Sequence, residues 1–112
     1  MRPECRLPEV TLLYDARGPR PENAAGVGDL WYEPGVWSLP LPPAARVLYA
    51  GLCSFLGHGQ INRKDLRNIL KNHTDEEIIG ALAGLVLHNL LDPDPGGYVV
   101  RSVRYFEDRS AG

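Results

Sequence analysis

Apolar residues in this chain change their spacing several times, and each change marks an element. From Pro42 to Leu56 (PPAARVLYAGLCSFL) they recur at helical spacing: Val47, Leu48, Gly51, Leu52, Phe55 and Leu56 share one stripe, widened by Tyr49 and Cys53. A helix apolar around so much of its circumference is a central one. Pro42-Pro43 suits its first turn, and Gly57-His58-Gly59 ends it. Gln60-Ile61 fits a small edge strand. A second helix follows, with Asn62 as its N-cap and Asp65 three residues on, and it runs to about Lys71. Leu66, Ile69 and Leu70 face inward on it.

A third helix opens on a capping box, Thr74-Asp75-Glu76-Glu77, whose acid suits the helix dipole. At about 100° per residue, Ile78, Leu82, Leu85 and Val86 form its inner face. Glu76, Glu77, Gly80, Ala83, Gly84, Leu87 and Leu91 fall outward. Asp92 to Gly97 (DPDPGG) is a turn. Tyr98 to Tyr105 (YVVRSVRY) reads as a strand, with Leu90-Leu91 leading into its partner. Before the helices, Val10 to Tyr14 reads as a short strand and Leu30 to Leu39 as two extended pieces around Pro34-Gly35. Arg17 to Asp29, rich in Gly, Pro and Asn, reads as a mobile loop. Trp31 and Trp37 are too large and apolar for a loose arm, so part of this segment should dock on the helices. The strand after the turn is long enough to pair with Val10 to Tyr14 or with a second copy of itself.

Prolines sharpen these boundaries: eight of the ten fall at or before Pro43, and the other two are Pro93 and Pro95. The reading is an N-terminal extension over 1–39, one folded unit over 40–107 and a disordered tail over 108–112. At 112 residues the chain is long enough for one modest core. A formal net charge of −2 means that any nucleic-acid binding must come from a local patch. Cys5 and Cys53 belong to no CxxC or Cys/His cluster, so no metal is expected, and such sparse cysteines suit free thiols in the cytoplasm. No apolar run reaches the length of a membrane span, and the first ten residues have no signal-peptide core.

The element order, helix, short strand, helix, tight turn, helix and Gly-rich hairpin, resembles a winged helix-turn-helix domain over residues 40–104. Leu41 to Leu52 (LPPAARVLYAGL) is similar to the LSPxAKLLYxxL opening of DnaD-like and plasmid or phage replication-initiator winged helices. Gln60 to Leu66 (QINRKDL) resembles their next strand and helix. Leu85 to Val100 (LVLHNLLDPDPGGYVV) is similar to their LxxxGLIxxxxxGxYxV ending. The chain departs from that pattern at His88-Asn89-Leu90-Leu91, which replaces GLI, and at Asp92 and Asp94 in the wing. The resemblance implies an α+β fold of three helices with a small antiparallel β-sheet wing, and work in DNA replication or transcription control.

Two surfaces are candidates. Arg63, Lys64, Arg67 and Lys71 on the second helix, with Arg101 and Arg104 near the C-terminus, hold the concentrated positive charge. They suit sequence-blind contacts to the phosphates of double-stranded DNA. The third helix, which would read bases in such a domain, carries no Lys or Arg, and its outward residues supply none of the long donors that base edges require. Gly80, Ala83, Gly84 and Leu87 instead make a shallow groove for an apolar partner from another chain, from residues 7–39 or from the core itself. Two functions stay open: a DNA-associated regulator or replication accessory that self-associates, and a protein-interaction module without nucleic acid. His58, His73 and His88 have no metal-ligand spacing and read as surface or cap residues. With no nucleophile arrangement or phosphate loop, neither an enzyme, a cofactor nor a small-molecule substrate is expected.

Overall fold

The computed structural model describes residues 9–27, 30–56 and 60–107. Within them the chain is mixed α+β: three helices pack on a four-stranded sheet, and a two-stranded hairpin stands beside them. The strands are β1 (Val10–Ala16), β2 (Ala25–Val27), β3 (Leu30–Tyr32), β4 (Gln60–Ile61), β5 (Leu91–Asp94) and β6 (Gly97–Arg101). The helices are α1 (Pro43–Cys53), α2 (Arg63–Ile69) and α3 (Asp75–Leu87). The expectations for Cys5, for His58 and its flanking glycines, and for the tail over 108–112 lie outside the described residues.

Local chemistry sets the helix starts. Asn62 Oδ1 accepts from the Asp65 N–H at 2.8 Å while Asp65 Oδ2 accepts from the Asn62 N–H at 3.3 Å. The same reciprocal box closes on α3, with Glu77 N–H to Thr74 Oγ1 at 3.1 Å and Thr74 N–H to Glu77 Oε1 at 2.8 Å. Each box satisfies N–H groups that the first turn would otherwise leave without partners. All three helices stop earlier than periodicity suggests. After α3 the chain turns at Asn89, which adopts φ 70°, a left-handed conformation that asparagine tolerates. Leu91 therefore leaves the helix, enters β5 and is buried instead of facing outward.

The larger sheet has the order β4-β1-β6-β5. β5 and β6 form a hairpin, with Leu91 opposite Val100 and Asp94 opposite Gly97, so the turn expected over Asp92 to Gly97 narrows to Pro95-Gly96 and Asp92 to Asp94 are strand. β1 inserts between β4 and β6: Val10 pairs antiparallel with Ile61, and Leu12 to Ala16 run parallel to Tyr98 to Arg101. The residue at 97 must be small there, because a Cβ would run into the Thr11 carbonyl oxygen. Val10 and Leu12 join Leu48, Leu52, Leu66, Ile78, Leu82 and Leu85 in the core. Burial of each such aliphatic side chain contributes about 1.5–3 kcal/mol.

The N-terminal segment is more ordered than its composition suggests. Residues 25–27 pair with β3, so part of the expected loop is a strand. Arg17 is only 2% exposed; its guanidinium lies 3.6 Å from the centroid of the buried Trp31 ring and donates to the Trp31 carbonyl. Glu33 Oε1 accepts from the Ser102 hydroxyl at 2.8 Å and from the Val103 N–H at 3.3 Å. The Tyr49 hydroxyl donates to the Arg101 carbonyl, and burial pushes that phenol well above its ordinary pKa. The Glu33 bonds tie the N-terminal segment to the end of β6, and the Tyr49 bond ties α1 to the same place. Pro34–Ser38 forms a 3-10 turn rather than an extended piece, since Pro34 holds a helical φ and Val36 turns into the core. Trp37 stays exposed, edge-on to Tyr32 at 5.8 Å. β6 ends at Arg101, short of the expected Tyr105, and Ser102 caps a second 3-10 turn over Val103–Tyr105. No helix among the described residues is long and apolar enough to cross a membrane.

Candidate interaction surfaces

α2 turns Leu66 into the core, and this orientation leaves its basic side chains outside. Carboxylates answer several of them. The Arg67 fork meets Asp75, with Nε to Oδ1 at 3.0 Å and Nη2 to Oδ2 at 2.7 Å. The hydrogen bonds from Arg67 hold the Asp75 carboxyl below its usual range, and Asp75 in turn raises Arg67. Arg63 lies 3.9 Å from Glu9. Lys64 and Lys71 are exposed, and neither has an ion-pair partner among the described residues.

The two C-terminal arginines sit elsewhere. Arg101 Nη2 is 2.6 Å from Asp92 Oδ2, and the Arg104 guanidinium lies 5.4 Å from the Tyr105 ring centroid. β1 gives the separation: Val10 faces Ile61, just before α2, whereas Ala16 faces Arg101. Six residue steps of strand span about 20 Å. The basic residues that stand together in a list thus form two groups near opposite ends of β1.

α3 presents different chemistry. Ile78, Ala81, Leu82 and Leu85 are buried. On the opposite side Gly80 and Ala83 are exposed, Gly84 is half-buried and Leu87 is 51% exposed. A Cβ built on Gly80 or Gly84 would find no atom within 4 Å beyond the helix's own backbone and chain neighbours. Among the described residues, then, neither the core nor the N-terminal segment fills the space over these glycines. Beside them lies a shallow apolar depression of about 170 Å³, lined by Ile79, Leu82, Ala83, Val86 and Tyr98.

Ile79 and Tyr98 were not legible as site residues. Ile79 sits at the flank of the inner stripe, which periodicity alone assigns weakly. Tyr98 comes beside the α3 residues only because β6 pairs with β1 and β5 in the sheet, which no local pattern encodes. His88 behaves as a cap, but a buried one: it ends α3, its Nδ1 is 2.6 Å from the Glu107 carbonyl, and its ring stacks on Phe106 at 5.0 Å. Cys53 is buried and in no disulfide. No group of three or more His, Cys, Asp or Glu is placed to hold a metal among the described residues. No protein-family model matches the chain, and no curated protein or solved structure resembles it closely enough to count as a relative.

Proposed function

We propose that this chain is a winged-helix-type protein-interaction module that offers the solvent face of α3 to a partner protein. The order α1, β4, α2, α3 and the β5–β6 hairpin supports the winged-helix assignment, with β1 as an added strand between β4 and β6. The observation that carries the functional reading is the exposed α3 surface: after an acidic first turn it is apolar through Leu87 and open above Gly80 and Gly84. Base readout needs donors and acceptors that reach base edges, and Gly80, Ala83 and Leu87 have none. Glu76 and Glu77 would face phosphates with like charge. A cytoplasmic location accords with a Cys53 thiol that is in no disulfide.

A second reading, a DNA-associated replication or regulatory protein, draws on Lys64 and Lys71, which are exposed beside Arg67. Anisotropy titration of labelled duplex DNA at about 50 and about 200 mM salt separates the two readings, because phosphate contacts weaken steeply with salt. The interaction-module reading expects no binding at either concentration. Salt-sensitive binding abolished by Lys64→Glu with Lys71→Glu would replace it with the second reading. Those lysines make the better probe, since changing Arg67 would also break its fork with Asp75.

A further inference from the structure

Charge around the α3 depression specifies what it accepts. From His73 to Val100 the chain carries no Lys or Arg but five acids; Arg67 pairs with Asp75 and Arg101 with Asp92, and Glu76, Glu77 and Asp94 are the exposed carboxylates. Glu76 precedes Gly80 by four residues, so on a helix its carboxylate heads an outer row of α3. Tyr98 of the β5–β6 hairpin lines the depression together with the α3 residues, and Asp94 is exposed at the hairpin's tip. The trough between helix and hairpin is therefore apolar along its floor and acidic at its margins.

This chemistry disfavours several occupants. Phosphates of nucleic acid meet like charge. A second copy of α3 brings carboxylates and no cation in either orientation, so a symmetric pair gains nothing at the margins. An amphipathic helix with basic flanks satisfies both parts, with its apolar stripe on the floor and its cations at the margins. Resting on the interaction-module reading above, we propose that the α3–hairpin trough binds a basic amphipathic helix of a partner protein. Its apolar side chains lie over Ile79, Ala83 and Val86, and its Lys or Arg side chains face Glu76 and Asp94.

The test uses three labelled synthetic peptides of about 18 residues, long enough to run the length of α3. One places Leu at helical spacing with Lys elsewhere, one keeps the Leu pattern with Glu elsewhere, and one scrambles the Leu/Lys order. Titrated against the whole chain by fluorescence anisotropy, the Leu/Lys helix is expected to bind at least about tenfold more tightly than the other two. Ala83→Glu should weaken it by a similar factor, with an unchanged circular dichroism spectrum. Should Ala83→Glu fail to fold, Glu76→Lys with Asp94→Lys serves instead, and it should shift preference toward the Leu/Glu helix. Equal binding of the scrambled peptide, indifference to both variants, or no binding at all overturns the proposal. Sedimentation then separates it from the reading beneath. A dimer dispersed by Leu87→Glu keeps α3 as an interaction surface with a second copy as its occupant, whereas a monomer that binds no peptide removes both.

Discussion

Gly51 in α1 and Gly84 in α3 look alike in the sequence, each a mid-helix glycine among apolar neighbours. The structure treats them oppositely. A Cβ at Gly51 would meet Ile69 Cγ2 at 2.6 Å and two further Ile69 carbons at 3.0 Å. At Gly84, and at Gly80 one turn earlier, a Cβ would meet nothing within 4 Å. The first glycine lets α1 and α2 close on each other, and the other two leave open space beside α3 among the described residues. A small residue in an apolar helix thus announces close approach without saying whether its own chain makes it. α2 and α3 differ in the same way on their polar sides: the exposed charge of α2 is mainly basic, and that of α3 is wholly acidic.

The strongest test of this contrast is Gly51→Val. Overpacking against a stiff β-branched side chain should cost up to about 3 kcal/mol, read as a lower urea midpoint. Ile69→Ala should cushion the loss, with a favourable coupling of about 1 kcal/mol or more in a double-mutant cycle. Full stability in Gly51→Val would erase the distinction between the two glycine sites. The opposite sign is expected on α3. Gly80→Ala and Gly84→Ala fill open space and remove a poor helix former, so each should stabilise by about 0.5–1 kcal/mol. If either destabilises the isolated chain, α3 is covered in solution and the comparison fails.

The smallest effect concerns the bridge between the two helices. Asp75 has its carboxyl lowered by hydrogen bonds from Arg67, so the folded state favours the ionised form. Its contribution is complete above the ordinary aspartate value near ~4 and is lost as pH falls through the lower folded value. In an NMR titration Asp75 should show a midpoint below the usual aspartate range, returning upward in Arg67→Met. An unchanged midpoint in that variant would mean that the helix N-terminus, and not Arg67, sets it. The shift should shrink in salt, since both groups lie at the surface.

Much of the helical block could be read from single residues acting on near neighbours. The two capping boxes form where Asn62-Asp65 and Thr74-Glu77 place them, because each needs only residues three apart. On α3 Ile78, Leu82 and Leu85 are buried as the stripe expects, but Val86 is half-buried at the edge of the depression and Ala81 is buried with the other three. The N-terminal segment was less legible. Composition marks residues 17–29 as a loop, but it cannot show that Arg17 finds the Trp31 ring or that Glu33 finds Ser102, partners separated by 14 and 69 positions. The candidate sites divide likewise. The outward set on α3 followed from periodicity except at Leu91, which the turn at Asn89 removed from the helix. The six basic residues were read as one concentration of charge, and their division along β1 depended on a strand pairing that no local pattern encodes.

The sequence by itself determined where the helices start, which residues of α3 turn inward, and the sign of charge on each helix, because helical geometry links residues at most a turn apart. Only the tertiary structure decided that β1 lies parallel to β6, that the basic residues form two groups, and that Gly51 is filled while Gly80 and Gly84 stand open. Those outcomes depend on which distant segments pack together, and packing is settled by the shape and burial of the whole core rather than by any one stretch of chain.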